Sequence, residues 1–499
     1  MSITSYSFLL FCGLVILLYF TVLKKHQWQL LLVSSLIFYA SFSVSFLFSL
    51  VYTTVVSYFG ALIISDKKAA KQKKAYAGAT IILLLLTLLV FKYSRFLWEN
   101  ITAVVHSGEN NTNDFFSRLV LPVGLSFYTF QAVSYCIDIY REEYTSERNI
   151  FKHALYISFF PQILQGPLSG YRKIKDDLFA KHEFDYSEAV SGARRFAFGL
   201  FKKLVIANRI HTFIAVPLSN YTSYRGIVFW YIFFLYAFEI YADFSGYMDI
   251  MAGLSKIMRI KLAENFDTPY LSKSIPEFWR RWHISLGEWF RQYLFYPILR
   301  TKSIDGLRKR YKSRGRRKAA KNVPTIIALV VVWATTGLWH GASWNYVLWG
   351  IYYGTLIILS TITEPVFSNW RIKHLSISNS AIFGCFRIVR TFVLVVIGYV
   401  LFRMPSLTET GHITRNMLSV VSFNDLGKLI VNNKFQAAIT LAGIVILIVI
   451  DVFRYKKTDL DFYFRKMPLV FRWIVYFILI AVIILLGDFD AASFIYFGF

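Results

Sequence analysis

VPTIIALVVVWATTGLWHGASWNYVLWGIYYGTLIILSTI, residues 323 to 362, contains no Asp, Glu, Lys or Arg. About 20 apolar residues cross the ~30 Å hydrocarbon core of a bilayer, so the stretch reads as two membrane spans, 323–338 and 344–362. His340 is the only histidine inside a strongly apolar, span-length region of the chain. An ionisable group at such depth points to function by default, and imidazole is the side chain best suited to take a proton from a hydroxyl near neutral pH. Gly341 and Ala342 are expected to leave room beside the ring for a substrate. The plainer alternative is a buried structural histidine.

The whole composition agrees with a membrane protein. Of 499 residues, 56% are hydrophobic, 18% aromatic and 17% charged, against roughly 25% charged in an ordinary soluble domain. Eleven Pro, 26 Gly and 3 Cys exclude disorder, collagen and a disulfide scaffold. The basic excess, 55 Lys and Arg against 29 Asp and Glu, sits in short segments between apolar runs, as the positive-inside rule expects. Nucleic acid is therefore a poor reading of the +26 charge. Cys12, Cys136 and Cys385 lie singly in apolar stretches, without metal-ligand neighbours at zinc-site spacing. They are expected to be packing residues, and no metal site is expected.

Outward from the central stretch, hydropathy predicts spans over 6–23, over 28–65 as a pair joined by a tight turn near Ser43 to Ser45, and over 76–92 and 118–138. Further spans are expected near 385–402, 435–453 and 470–487, for ten to twelve in all. Basic clusters at Lys24/Lys25 and Lys67 to Lys74 are placed inside, and the polar run Glu109 to Asp114 outside. Ala154 to Leu168 is apolar but too short to span and holds Pro161, Gly166 and Pro167, so it reads as re-entrant or interfacial. Lys202 and Lys203 interrupt an apolar helix over 193–216, which suggests a tilted or partly buried element. Residues 226–258 are one long helix or two joined near Gly246, with Glu239 and Asp243 on one face. No soluble domain and no internal repeat is visible, so 1–499 reads as one membrane domain.

Two segments besides His340 carry chemistry. Pro269 to Leu299, PYLSKSIPEFWRRWHISLGEWFRQYLFYPIL, interleaves Trp279, Trp282 and Trp289 with Arg280, Arg281, Arg291 and His283. Such a mixture suits a helix at the bilayer surface. Residues 300–321 hold eleven Lys and Arg and read as a cytoplasmic loop that attracts anionic lipids or, more sharply, a phosphate-rich ligand such as coenzyme A. Phosphate loops, dinucleotide fingerprints, H-E-x-x-H and nucleophile elbows are absent.

Taken together, PEFWRRWHISLGEWFRQYLFYPI, DFSGYMDIMAGLSKIM (Asp243 to Met258), NFDTPY (Asn265 to Tyr270) and WHGASWNYVLWG resemble the membrane-bound O-acyltransferases. The likeness is to the branch that O-acetylates alginate, peptidoglycan and cellulose. LPVGLSFYTFQAVSYCIDIYR, FFPQILQGPL and the terminal FIYFGF share it, with the motif-bearing core at about 120–355. The resemblance implies an all-α, multi-helix fold with a central tunnel, in the cytoplasmic (inner) membrane. It implies His340 as catalytic histidine and His283 at the family's second characteristic position, which is His or Asn among members. Trp339, Trp282, Arg281, Asp243 and Glu239 are the accompanying substrate-binding candidates, the last two equally readable as hydrogen-bonded helix contacts. No bound cofactor is expected. The implied donor is acetyl-CoA, the acceptor an extracytoplasmic polysaccharide, and the partners membrane lipids, an SGNH-type extracytoplasmic acetyltransferase and polysaccharide-secretion machinery. D-alanyl transfer to a cell-wall polymer, a glycan flippase and a structural scaffold are the competing readings.

Overall fold

An apolar chain in lipid has no water to satisfy its backbone, so each segment must pair its own N–H and C=O groups. The computed structural model describes residues 1–66, 69–105, 119–378, 380–419 and 423–489. Every regular element among them is a helix, and the one β contact is an isolated bridge between Phe266 and Trp282. The polar run at 109–114, Lys67, Lys68 and the terminal FIYFGF lie outside the described residues.

Among the described residues eight helices are long and apolar enough to cross a membrane: Phe46–Asp66, Lys71–Val105, Ile227–Ile257, Arg317–His340, Trp344–Lys373, Ala381–Arg403, Lys434–Tyr455 and Leu469–Leu486. Tyr6–Phe20 and Gln27–Ala40 are apolar but only 15 and 14 residues long, roughly 22 Å at 1.5 Å per residue. The expected ten to twelve spans are thus eight by length among the described residues. The expected 118–138 span is instead Leu125–Tyr140, 16 residues and almost wholly buried in protein. Its start is fixed by Gly124, whose φ of 77° suits glycine and whose Cβ, if present, would strike the Ile163 carbonyl. The 76–92 run extends further than hydropathy suggests, through a π turn at Leu89–Tyr93 into Ser94–Val105. Residues 226–258 form one unbroken helix. Cys12 and Cys136 are buried, whereas Cys385 is exposed rather than packed.

The basic 300–321 segment is also not a loop. Lys302–Ser313 is helical, and the next helix begins at Arg317 after a turn at Gly315 (φ 72°). Asp305 explains the difference: it pairs with Lys309 at 3.0 Å and Arg308 at 3.8 Å along one helix face, while Ile304 is buried as an anchor.

Contacts gather the described residues into two compact units. The first comprises Met1–Gly199 with Met248–Ala263. Within it, Phe159 to Leu168 has no helix, yet it is buried except at Leu168 itself. Protein meets part of its polar backbone: Gly166 N–H donates to Gln162 O at 2.9 Å and Gln162 Nε2 to Pro167 O at 3.0 Å. Arg195 Nε pairs with Asp249 Oδ1 at 2.8 Å in the same unit.

The second unit comprises Leu200–Tyr247 and the described residues of Glu264–Ala492. Here the Arg317–His340 and Trp344–Lys373 helices approach backbone to backbone at glycine. A Cβ on Gly350 would meet Gly337 Cα at 3.1 Å and press on the Trp333 carbonyl, and one on Gly354 would meet Trp333 Cβ at 2.9 Å. Small residues permit such approach where no hydrophobic effect drives helices together. Gly350→Val is therefore expected to part these helices and lower acyl transfer at least about tenfold, an order typical of misplacing a catalytic group. Gly306→Val, where nothing lies within 4 Å of the new Cβ, is the comparison, with both rates normalised to folded protein.

Candidate active site

His340 is the last residue of the Arg317–His340 helix. Gly341 continues in extended backbone, and the chain re-enters a helix at Trp344 with Ser343 as N-cap. The turn carries the imidazole into a cage of rings. Its centroid lies 4.8 Å from Trp339, 4.7 Å from Trp349, 5.3 Å from Phe402 and 6.5 Å from Tyr346, and the residue is 3% exposed. The room expected beside Gly341 is taken: a Cβ there would run into the Tyr346 ring. Glycine at 341 thus admits a protein side chain rather than a substrate.

His283 lies at the turn between two short helices, Ile275–Arg281 and Ile284–Phe290. Ser274 starts the first by accepting the Glu277 N–H, and Pro276 sits in its first turn, where its missing N–H is no loss. Between the helices His283 adopts φ 49°, ψ 52°, a left-handed conformation that costs a non-glycine residue about 1–3 kcal/mol and concentrates at functional sites. Asn265 holds it there: its carbonyl accepts Ile284 N–H at 3.0 Å and its Oδ1 accepts Ser285 N–H at 3.0 Å. The ring is buried, 4.8 Å from Phe244 and 6.0 Å from Trp339. Burial lowers the His283 pKa to about 3, because a desolvated imidazolium is unfavourable. The side chain is therefore neutral at physiological pH.

Trp339 joins the two sites, since its indole abuts both His283 and His340. These three of the sequence-derived candidates form one cluster. The remaining four face protein partners. Arg281 donates to Asp267 O at 3.1 Å and Thr268 Oγ1 at 3.0 Å, and pairs with Glu277 at 3.1 Å. It thereby clamps the NFDTPY segment beside the His283 turn. Trp282 points into an aromatic cluster, 5.0 Å from Phe266 and 5.5 Å from Phe278. Glu239 Oε1 meets His211 Nδ1 at 2.8 Å, and Asp243 Oδ1 accepts from Lys203 Nζ at 2.6 Å. Asp243 is followed in sequence by Phe244, the ring that backs His283.

Several site neighbours escape sequence reasoning. Trp349, Phe402 and Tyr346 read as ordinary apolar-span residues, and only their place in or near WHGASWNYVLWG marks the first and last. Lys203 did carry a signal, because a lysine at membrane depth needs an acidic partner, and Asp243 is that partner. Among the described residues no group of three or more His, Cys, Asp or Glu could hold a metal ion.

Residues 18–402 match the membrane-bound O-acyltransferase (MBOAT) family. A probable alginate O-acetylase AlgI of Azotobacter vinelandii is 31% identical over 448 residues, covering 88% of this chain and 82% of that protein. A peptidoglycan O-acetyltransferase of Helicobacter pylori is 30% identical over 350 residues, 65% of this chain and 62% of that protein. A teichoic acid D-alanyltransferase of Bacillus subtilis is 30% identical over 292 residues, 57% of this chain and 69% of that protein. With eight membrane-length apolar helices among the described residues and a family match across most of its length, the chain belongs to the membrane-bound O-acyltransferase family and is a multi-pass membrane O-acyltransferase.

Proposed function

We propose that this enzyme is an O-acetyltransferase of the cytoplasmic membrane, moving acetyl from cytoplasmic acetyl-CoA to a hydroxyl destined for an extracytoplasmic polysaccharide. The observation that carries the reading is His340, a buried imidazole at the end of an apolar span, caged by Trp339, Trp349 and Phe402. The acceptor hydroxyl attacks the thioester carbonyl as His340 takes its proton. Collapse of the tetrahedral intermediate breaks the C–S bond, and the departing thiolate recovers that proton. The negative end of the helix dipole at His340 favours the positive charge the ring acquires in between. A passage through the helices would bring the thioester to His340 while the charged coenzyme stays on the cytoplasmic side. An SGNH-type extracytoplasmic acetyltransferase and polysaccharide-secretion machinery are the partners that would deliver the acetyl group onward, and the basic Lys302–Ser313 helix suits anionic lipids.

His283, neutral and next to Trp339, orients the donor. Asparagine tolerates its left-handed backbone better than most residues, so His283→Asn is expected to keep transfer within about tenfold of wild type. The same change bears on acid stability. The folded-state pKa near 3 lies below the ordinary 6.5 of an unfolded histidine, so only the unfolded chain takes up a proton as pH falls from 6.5 towards 3, and stability is lost over that window. His283→Asn removes this loss. Its acid-unfolding midpoint, followed by near-UV circular dichroism, should move to lower pH; an unmoved midpoint contradicts the assignment.

D-alanyl transfer is the second reading, favoured by the 30% identity to a teichoic acid D-alanyltransferase. Purified enzyme offered radiolabelled acetyl-CoA, and separately a D-alanyl thioester on a carrier protein, distinguishes the two. Histidine-dependent label transfer from acetyl-CoA alone is expected; transfer from the carrier protein alone would overturn the acetyl assignment.

A further inference from the structure

We propose that the indole N–H of Trp349 hydrogen-bonds the thioester carbonyl oxygen at His340 and stabilises the oxyanion that this oxygen becomes. The inference rests on the reading of His340 as the base. Trp349 is 1% exposed, and its ring lies 4.7 Å from that of His340 at an interplanar angle of 74°. Its Nε1 is buried without a hydrogen-bond acceptor among the described residues. An unmet buried donor costs about 1–3 kcal/mol, and buried tryptophans usually find a partner for it. Phenylalanine would occupy an apolar position without that penalty. A donor kept at such a place is explained by an acceptor that arrives with the substrate.

The surroundings suit the role. Trp279 at 5.4 Å, Tyr353 at 5.1 Å and Phe402 at 5.7 Å wall the indole with rings. Gly350, the next residue, is locked against Trp333 and Gly337, so the donor is held before the reaction begins. Low-dielectric, preorganised donors act most strongly on charge that develops only in the transition state. In the step itself the acceptor oxygen bonds to the carbonyl carbon, its proton passes to His340, and the C=O π pair moves onto the oxygen facing Trp349. Re-forming C=O then expels the thiolate, which takes the proton back from His340.

Trp279 supplies an internal comparison. Its Nε1 is likewise buried without an acceptor among the described residues, but its ring packs on Trp333, Trp349 and Tyr353. Replacing Trp349 by 3-benzothienylalanine keeps the bicyclic shape and exchanges N–H for sulfur. In the full-length purified enzyme with acetyl-CoA, this change is expected to lower kcat about 10²–10³-fold, the usual loss on removing one oxyanion donor, with KM for acetyl-CoA nearly unchanged. The same exchange at Trp279 should leave kcat within about threefold. Trp349→Phe, assayed per folded molecule, serves if the isostere is not produced. Wild-type kcat in the Trp349 variants, beside an inactive His340→Ala, refutes the donor role and leaves the base intact. An active His340→Ala removes the base and the donor role with it.

Discussion

His340→Ala is expected to abolish acyl transfer while the protein still inserts and folds. Positioned general-base catalysis is worth about 10²–10⁴-fold, and nothing else in the cage of Trp339, Trp349, Phe402 and Tyr346 can take up the hydroxyl proton. Truncation leaves a cavity bounded by rings, and because His340 ends its helix the backbone ladder is undisturbed. Detergent-purified variant should therefore elute as wild type on size exclusion yet show no rate above background. A variant retaining a tenth or more of the wild-type rate would show that proton transfer happens elsewhere.

Asp243→Ala is expected to be the most destabilising single change in the second unit. Lys203 and Asp243 meet at 2.6 Å with side chains 5% and 2% exposed. Removing one partner of a buried pair costs about 3–5 kcal/mol, because the other charge stays behind. Replacing both by apolar groups of similar volume is often neutral, so Lys203→Met/Asp243→Leu should recover the thermal midpoint lost in the single variant. The double variant also separates two roles for Asp243. If the pair braces the π turn at Phe201–Ala207 against the Ile227–Ile257 helix, the folded double variant transfers acyl groups within about tenfold of wild type. A stable but inactive double variant would place Asp243 in the reaction.

Much of the architecture was legible because lipid imposes one solution on apolar chains. The reversal expected at Ser43–Ser45 falls between Ala40 and Phe46, and the buried, non-helical stretch after Ser158 was marked by Pro161, Gly166 and Pro167. Hydropathy is blind to whether protein or lipid covers a segment. Leu125–Tyr140 is as apolar as a span but is sheathed by neighbouring elements, and a window average cannot distinguish the two environments. The basic 300–321 segment became helical through Asp305 pairs that a charge count overlooks.

The site divides in the same way. His283 and His340 stand out because imidazole is rare among apolar residues, and Trp339 because it is adjacent to one of them. Gly341 misled: a missing side chain reads as space, and only the fold brings Tyr346 in to fill it. Trp349 was silent because an indole in an apolar run is indistinguishable from core until its N–H is seen to lack an acceptor among the described residues. Arg281, a plausible anion ligand by type, is spent on Asp267, Thr268 and Glu277.

In the proposed reaction an acyl group reaches His340 from the cytoplasmic side and leaves on an outward-facing hydroxyl. Sealed vesicles of known orientation test it most directly, with [¹⁴C]acetyl-CoA outside, on the cytoplasmic face of the protein, and an oligosaccharide trapped in the lumen. The purified extracytoplasmic partner is included where transfer requires it. Wild type should acetylate the lumenal sugar while coenzyme A stays outside, and His340→Ala should not. Labelled sugar in the His340→Ala vesicles, or labelling that occurs only when acetyl-CoA is inside, would contradict the account.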